Sequence, residues 1–291
     1  MTRDDIIAAL DGIPALAGVA PDRIGVTPLG GLSNTNLKIE TPSGDFVLQM
    51  PPLDSEGLRD HAGTVEAVRM ATRLGIGAEL VHADPANGIL LTRWVEGART
   101  MSAGRFRAEP HLVRYAGTLL GHLHRSGERL AHRVDPFDAI RRHVEALGPS
   151  PLSPYLTASL ARAEAGAEDA RLVPIHGDPV PENFIEADSR LVLIDWEFAG
   201  MGDPAWDLAY LVLEAELPLE AEASLLAAYG DPGVTPERLS LSKMVAAALT
   251  ALWGKLRMQR PPSPDLSRWV AARLRQAEEL SSVLYPGAGS R

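Results

Sequence analysis

Short apolar runs broken by turn residues give way, near residue 95, to longer stretches with helical spacing. Residues 2–16 read as a short amphipathic helix. Residues 36–41 and 45–50 are β-like runs, and Pro42-Ser43-Gly44 between them is a hairpin signal. Gly30-Gly31-Leu32-Ser33-Asn34 reads as a loop before the first run. Residues 65–74 carry a helical pattern that Gly75 ends. Residues 78–82 and 88–94 read as another strand pair around Asp84-Pro85-Ala86-Asn87-Gly88. Beyond Trp94, Leu112, Tyr115, Ala116, Leu119, Leu120 and Leu123 recur at helical spacing and predict a helix buried on one face. A second helix follows at 155–170, then two short apolar runs at 172–175 and 191–194. From about 205 to 284 the pattern is helical, with breaks at Leu217-Pro218, Asp231-Pro232-Gly233 and Pro261-Pro262. Strands with one helix come first, and helices around two tiny strands come second. That order predicts an α+β protein with a lobe boundary near 95–97, hence a first lobe over 1–95 and a second over 96–291.

Composition narrows the functions. The formal net charge of -10 disfavours nucleic acid as a partner and suits a cationic small-molecule substrate. It does not suit a polyphosphate unless a divalent metal mediates. The absence of cysteine removes disulfides, zinc thiolates and a thiol nucleophile. No apolar stretch approaches the ~20 residues of a membrane span. Arg3, Asp4 and Asp5 near the start argue against a secretory signal, so a soluble, cytoplasmic protein is expected.

The chemistry concentrates in His176-Gly177-Asp178-Pro179-Val180-Pro181-Glu182-Asn183 and in Ile194-Asp195-Trp196-Glu197. Two prolines stiffen the first segment, which can hold the Asp178 carboxylate and the Asn183 amide facing one point. Asp195 follows a buried β run and emerges at a strand end. Phosphoryl transfer requires a carboxylate to orient and deprotonate a hydroxyl, and oxygen ligands for Mg²⁺ on the phosphates. The Asp-x-x-x-x-Asn spacing, with an Asp on the strand pair after it, is that of a kinase catalytic loop. The preceding His-Gly and the downstream Gly202-Asp203-Pro204 and Asp207 make the signal strong.

The segment 176–210 resembles the aminoglycoside phosphotransferase and choline kinase family, closest to its choline/ethanolamine and thiamine kinase branches. The resemblance extends weakly to Gly30-Gly31-Leu32-Ser33-Asn34, to 88–97, to Leu123-His124-Arg125 and to Ala251-Leu252-Trp253-Gly254. It implies a protein-kinase-like, two-lobed fold using ATP and Mg²⁺, with a small antiparallel-sheet first lobe and a mostly helical second lobe. By position it implies that Asp178 is the catalytic base, that Asn183 and Asp195 hold Mg²⁺, that Glu197 binds a second metal or the substrate cation, and that Gly31, Ser33 and Asn34 approach the phosphates. Asp207 would tie the catalytic loop in place, and His176 would be structural. Trp94 lies by the hinge, where it flanks adenine or packs between lobes. Trp206, Tyr210 and Trp253 form either a cage for a quaternary ammonium or part of the core.

The chain departs from the family pattern on its third strand, where relatives carry a basic residue paired with a helix glutamate. Gln49 stands there, with Lys38 a candidate substitute and Glu66 a candidate helix partner. Two readings follow. One is a kinase acting on choline or ethanolamine first, then thiamine or aminoglycosides. The other is a pseudokinase that binds nucleotide or metabolite without turnover.

Overall fold

A computed structural model describes residues 6–7, 10, 12–30, 34–51, 60–167, 171–188, 190–259 and 264–286. The chain divides into two compact units. One comprises Met1–Thr100 with Phe184–Ala199, the other Met101–Asn183 with Gly200–Arg291. The first unit therefore reaches slightly past the expected boundary, and it takes in a segment that the sequence reading assigned to the 96–291 lobe.

In the first unit, β1 (Gly25–Gly30), β2 (Thr35–Thr41), β3 (Gly44–Met50), β4 (Leu80–Asp84) and β5 (Ile89–Arg93) form an antiparallel sheet in the order β1-β2-β3-β5-β4. Strand alternation sends Leu37, Ile39, Phe46, Leu48 and Met50 into a core shared with Leu10, Ile13 and Ile24. The opposite face carries Asn36, Lys38, Val47 and Gln49, with Asn36 opposite Gln49 and Lys38 opposite Val47. Helix α1 (His61–Leu74) ends at Gly75, whose φ of 68° places it in the left-handed region that closes helices. Of the helix expected over 2–16, Ile6, Ile7 and Leu10 are helical, Pro14–Leu16 is a 3-10 turn, and residues 1–5, 8, 9 and 11 lie outside the described residues.

After β6 (Arg99–Thr100) the chain crosses to the second unit, where β7 (Val173–Ile175) lies, and returns for β8 (Phe184–Ala187) and β9 (Arg190–Leu193). These three returning or edge strands pair in the order β6-β8-β9. A backbone bond from Leu193 N–H to the Ile76 carbonyl, 2.8 Å, ties β9 to the turn after α1.

The second unit contains β10 (Gly200–Gly202), paired with β7, and helices α2 (Ala103–Ala108), α3 (Pro110–His124), α4 (Pro136–Leu147), α5 (Pro154–Ala165), α6 (Pro204–Ala215), α7 (Leu219–Tyr229), α8 (Pro236–Arg257) and α9 (Pro264–Leu284). Helices α4, α5, α6 and α8 share one start signal. Asp135, Ser153, Asp203 or Thr235 caps the first amides with its side chain, and a proline follows at the first helical position. Helix α6 is buried on nearly all sides, and Trp206 and Leu213 join α8's Met244, Ala247 and Ala248 in the core. No helix among the described residues is long and apolar enough to cross a membrane.

The β7–β10 pair supports the loop that follows β7, and it is closely packed. A methyl at Gly202 would lie 2.3 Å from Ile175 Cδ1 and 3.4 Å from Val134 Cβ. Gly202→Ala is expected to lower stability by about 1–3 kcal/mol through overpacking, read from the midpoint of urea unfolding.

Candidate active site

In the second unit, the chain leaves β7 through buried His176 and Gly177, whose φ is 85°. It turns at Asp178, where Val180 N–H bonds to the Asp178 carbonyl at 2.9 Å, and enters a 3-10 turn, Pro181–Asn183. Asn183 folds back on Asp178. Its Nδ2 donates to the Asp178 carbonyl at 2.8 Å and lies 3.4 Å from the carboxylate Oδ2. The expected pairing of carboxylate and amide within one stiff loop is present.

Asp207 anchors this loop from the first turn of α6. Its fully buried carboxylate accepts from His176 N–H at 2.7 Å, from Gly177 N–H at 2.9 Å and from His124 Nε2 at 3.0 Å. His124 Nδ1 in turn lies 3.1 Å from the Tyr229 hydroxyl. With Nε2 donating to Asp207 and the Tyr229 hydroxyl on Nδ1, every member of this chain has a partner. Burial pushes the Asp207 carboxyl up, but the hydrogen bond and charge of His124, then the charge and backbone N–H of His176, outweigh it and hold the group below the ordinary aspartate range. His176 is fully buried, while His122 on α3 is exposed.

Helix periodicity places Tyr210 and Glu214 on the α6 face that carries Asp207. The Tyr210 phenol lies close enough to Asp178 for that carboxylate to act on it. Burial, then the negative charges of Asp178 and Glu214, push the Tyr210 phenol well above its usual value, so it stays a donor at every working pH. Tyr210→Phe removes the hydroxyl beside Asp178, and kcat is expected to fall about tenfold in steady-state kinetics.

The three aromatics read as either a cage or part of the core fall into two groups of ring contacts. Trp206 is 5% exposed and gives its indole N–H to the Gly177 carbonyl at 2.9 Å, so it belongs to the core and braces the loop. Its ring centroid lies 5.4 Å from that of Tyr210. Trp253, on α8, is 42% exposed and packs edge-on to Trp269 at 6.1 Å. The protein's own guanidinium groups cover these two rings: Arg257 lies 5.8 Å from the Trp253 centroid and Arg273 lies 5.3 Å from that of Trp269. Arg273 also pairs with Glu214 at 2.9 Å. Burial pushes the Glu214 carboxyl up, and Arg273 opposes the shift. Sequence reasoning missed this pair, since α6 and α9 are far apart in the chain.

In the first unit, Asp195 follows β9 with φ at 64°, a left-handed conformation rare outside glycine but tolerated by Asp. Gln49 Nε2 donates to Asp195 Oδ1 at 2.9 Å. Asn34 Nδ2 lies 3.4 Å from the same oxygen and donates to Glu197 Oε2 at 3.1 Å. Asp195 and Glu197 thus converge on one amide nitrogen. An oxygen donor set of two adjacent carboxylates fits Mg²⁺, which takes one or two protein carboxylates and completes its shell with phosphates and water. Among the described residues no group of three or more His, Cys, Asp or Glu side chains gathers as a metal site.

Lys38 shares the sheet face of Gln49. Asp45 at 2.8 Å and Glu40 at 3.0 Å hold its ammonium, which lies 4.9 Å from the Trp94 centroid. The bond to Asp45, then that to Glu40, raises its pKa. Trp94 is fixed by its own N–H to the Asp45 carbonyl, 2.9 Å. Glu66 is half-buried on α1, while Gln49 commits its amide to Asp195. Gly31 and Ser33 lie outside the described residues.

Residues 25–241 match the sequence profile of the phosphotransferase enzyme family. Protein LicA of Haemophilus influenzae strain KW20 is 27% identical over 242 residues, covering 78% of this chain and 90% of that protein. Among solved structures, a choline/ethanolamine kinase family protein from Mesorhizobium loti superposes with a TM-score of 0.80 at 30% identity, covering 96% of this chain and 95% of that one. The choline kinase LicA from Streptococcus pneumoniae follows at 0.79 and 25% identity, covering 96% and 99%. The α+β architecture is kinase-like, and the chain belongs to the phosphotransferase enzyme family as a small-molecule kinase.

Proposed function

We propose that this protein transfers the γ-phosphoryl group of ATP, as its Mg²⁺ complex, to a hydroxyl of a small cationic molecule. The observation that carries this reading is the Asp178–Asn183 loop, pinned by Asp207 at the backbone of His176 and Gly177. Asp178 orients the acceptor hydroxyl and takes its proton. Asn183 and Tyr210 help to aim that carboxylate. Asp195 and Glu197 would hold Mg²⁺, to which the family resemblance also assigns Asn183, and the ion would supply neutralisation of phosphate charge when bound. Positioning supplies most of the rate.

Choline or ethanolamine ranks first as acceptor, then thiamine, then aminoglycosides. The net charge of -10 supports a cationic acceptor. The relatives described as choline and choline/ethanolamine kinases support the first rank. The binding-only alternative drew on Gln49, and the bond from Gln49 to Asp195 gives that residue a use in a working metal site, which favours turnover. A coupled ADP-release assay with Mg-ATP, run over choline, ethanolamine, thiamine and several aminoglycosides, tests the reading. Turnover with one acceptor is expected. ATP binding with no turnover on any of them would favour the binding-only protein, and failure to bind Mg-ATP would sink the kinase reading.

A further inference from the structure

Gln49 stands at the strand position where the family carries a cation, and its amide is already committed to Asp195 Oδ1 at 2.9 Å. The second donor reaching that oxygen, Asn34 Nδ2 at 3.4 Å, is also a neutral amide. An ammonium in place of Gln49 would make the same bond while cancelling the carboxylate's charge. An amide makes the bond and leaves the charge intact, and that charge is what attracts a divalent cation. Asp195 needs such support, because its φ of 64° is a conformation that persists only where its surroundings fix it. The nearby cation on the same sheet face is occupied elsewhere, since Asp45 and Glu40 hold Lys38.

Resting on the kinase reading above, we infer that Gln49 is a positioning residue for the metal-binding carboxylate Asp195. It fixes the carboxylate's orientation without neutralising it, so the divalent ion alone supplies the charge that a strand lysine shares elsewhere. The substitution of glutamine for a basic residue is then a redistribution of charge within the site and not a loss of function.

The test uses the full chain with a non-hydrolysable ATP analogue and Mn²⁺, whose free concentration is read by electron paramagnetic resonance. Melting temperature is measured in parallel. Gln49→Met keeps the length and removes the donor, and Mn²⁺ affinity is expected to fall roughly tenfold with the melting temperature unchanged. Gln49→Lys keeps a donor but brings charge. It is expected to lose Mn²⁺ affinity at least as much, while binding the metal-free analogue more tightly. Restoration of wild-type Mn²⁺ affinity by lysine would show that only the hydrogen bond matters and would overturn the inference. Unchanged affinity in Gln49→Met would overturn it equally. If the wild-type chain itself takes up no Mn²⁺ with the analogue, the kinase reading fails and the inference falls with it; if the wild type binds and the variants match it, the inference alone fails.

Discussion

Asp178→Asn is expected to lower kcat by about a thousandfold, with kcat/KM falling in parallel and the melting temperature unchanged. Asparagine has the size of aspartate and keeps one oxygen to accept from Asn183 or Tyr210, so the loop geometry survives. What it loses is the ability to take a proton and the negative charge that aligns a hydroxyl. Asp178 is half-buried, and the Asp207 clamp grips the neighbouring backbone at His176 and Gly177. Removal of its charge therefore leaves the anchor untouched, and folding and catalysis separate cleanly in this variant. Coupled ADP release at saturating Mg-ATP measures the effect for whichever acceptor the wild type uses. A kcat within tenfold of wild type would remove Asp178 from the role of base. A rise in KM alone would make it a binding group only.

The sequence made this loop legible because its chemistry is local. Asp178, Asn183 and the two prolines lie within a few residues, and a stiff turn fixes side chains that are close in the chain. The hairpin β2–β3 and the end of α1 were legible for the same reason, each resting on a turn residue with one conformational job. Strand β1 was missed because it contains glycine and proline and is mostly exposed, leaving little apolar signal. Helix α4 was also missed, although Phe137, Ile140, Val144 and Leu147 recur at helical spacing behind the Asp135-Pro136 cap. Relationships across the chain carried no such signal. Gln49 was visible as a departure, but nothing in the sequence said that its amide would meet Asp195. The choice between cage and core was not legible for a related reason. Spacing cannot show that Trp253 packs with Trp269, or that arginines already lie against those rings.

The largest loss of stability is expected at Asp207. Asp207→Ala should destabilise the protein by about 3–5 kcal/mol, read from urea unfolding. Alanine strands two backbone amides and a buried imidazole that now share one carboxylate. Water cannot easily replace that acceptor in a site with no exposed surface. Tyr229→Phe, one bond further out, removes only the donor to His124 and should cost about 1 kcal/mol. The same carboxylate sets an acid limit. Its folded pKa is depressed, so its contribution is fully present above the unfolded aspartate value and is lost as pH falls through the folded value below it. Unfolding midpoints of the wild type should therefore drop steeply below the ordinary aspartate range. In Asp207→Ala that part of the slope should be missing, because the titrating group is gone. Equal acid slopes in the two proteins would show that Asp207 is not the group whose protonation releases the loop. The pairing of this limit with the catalytic loop is direct: the two amides that Asp207 holds belong to His176 and Gly177, immediately before the proposed base. Loss of activity on acidification is expected to precede global unfolding, since protonation of one buried carboxylate frees the backbone that aims Asp178.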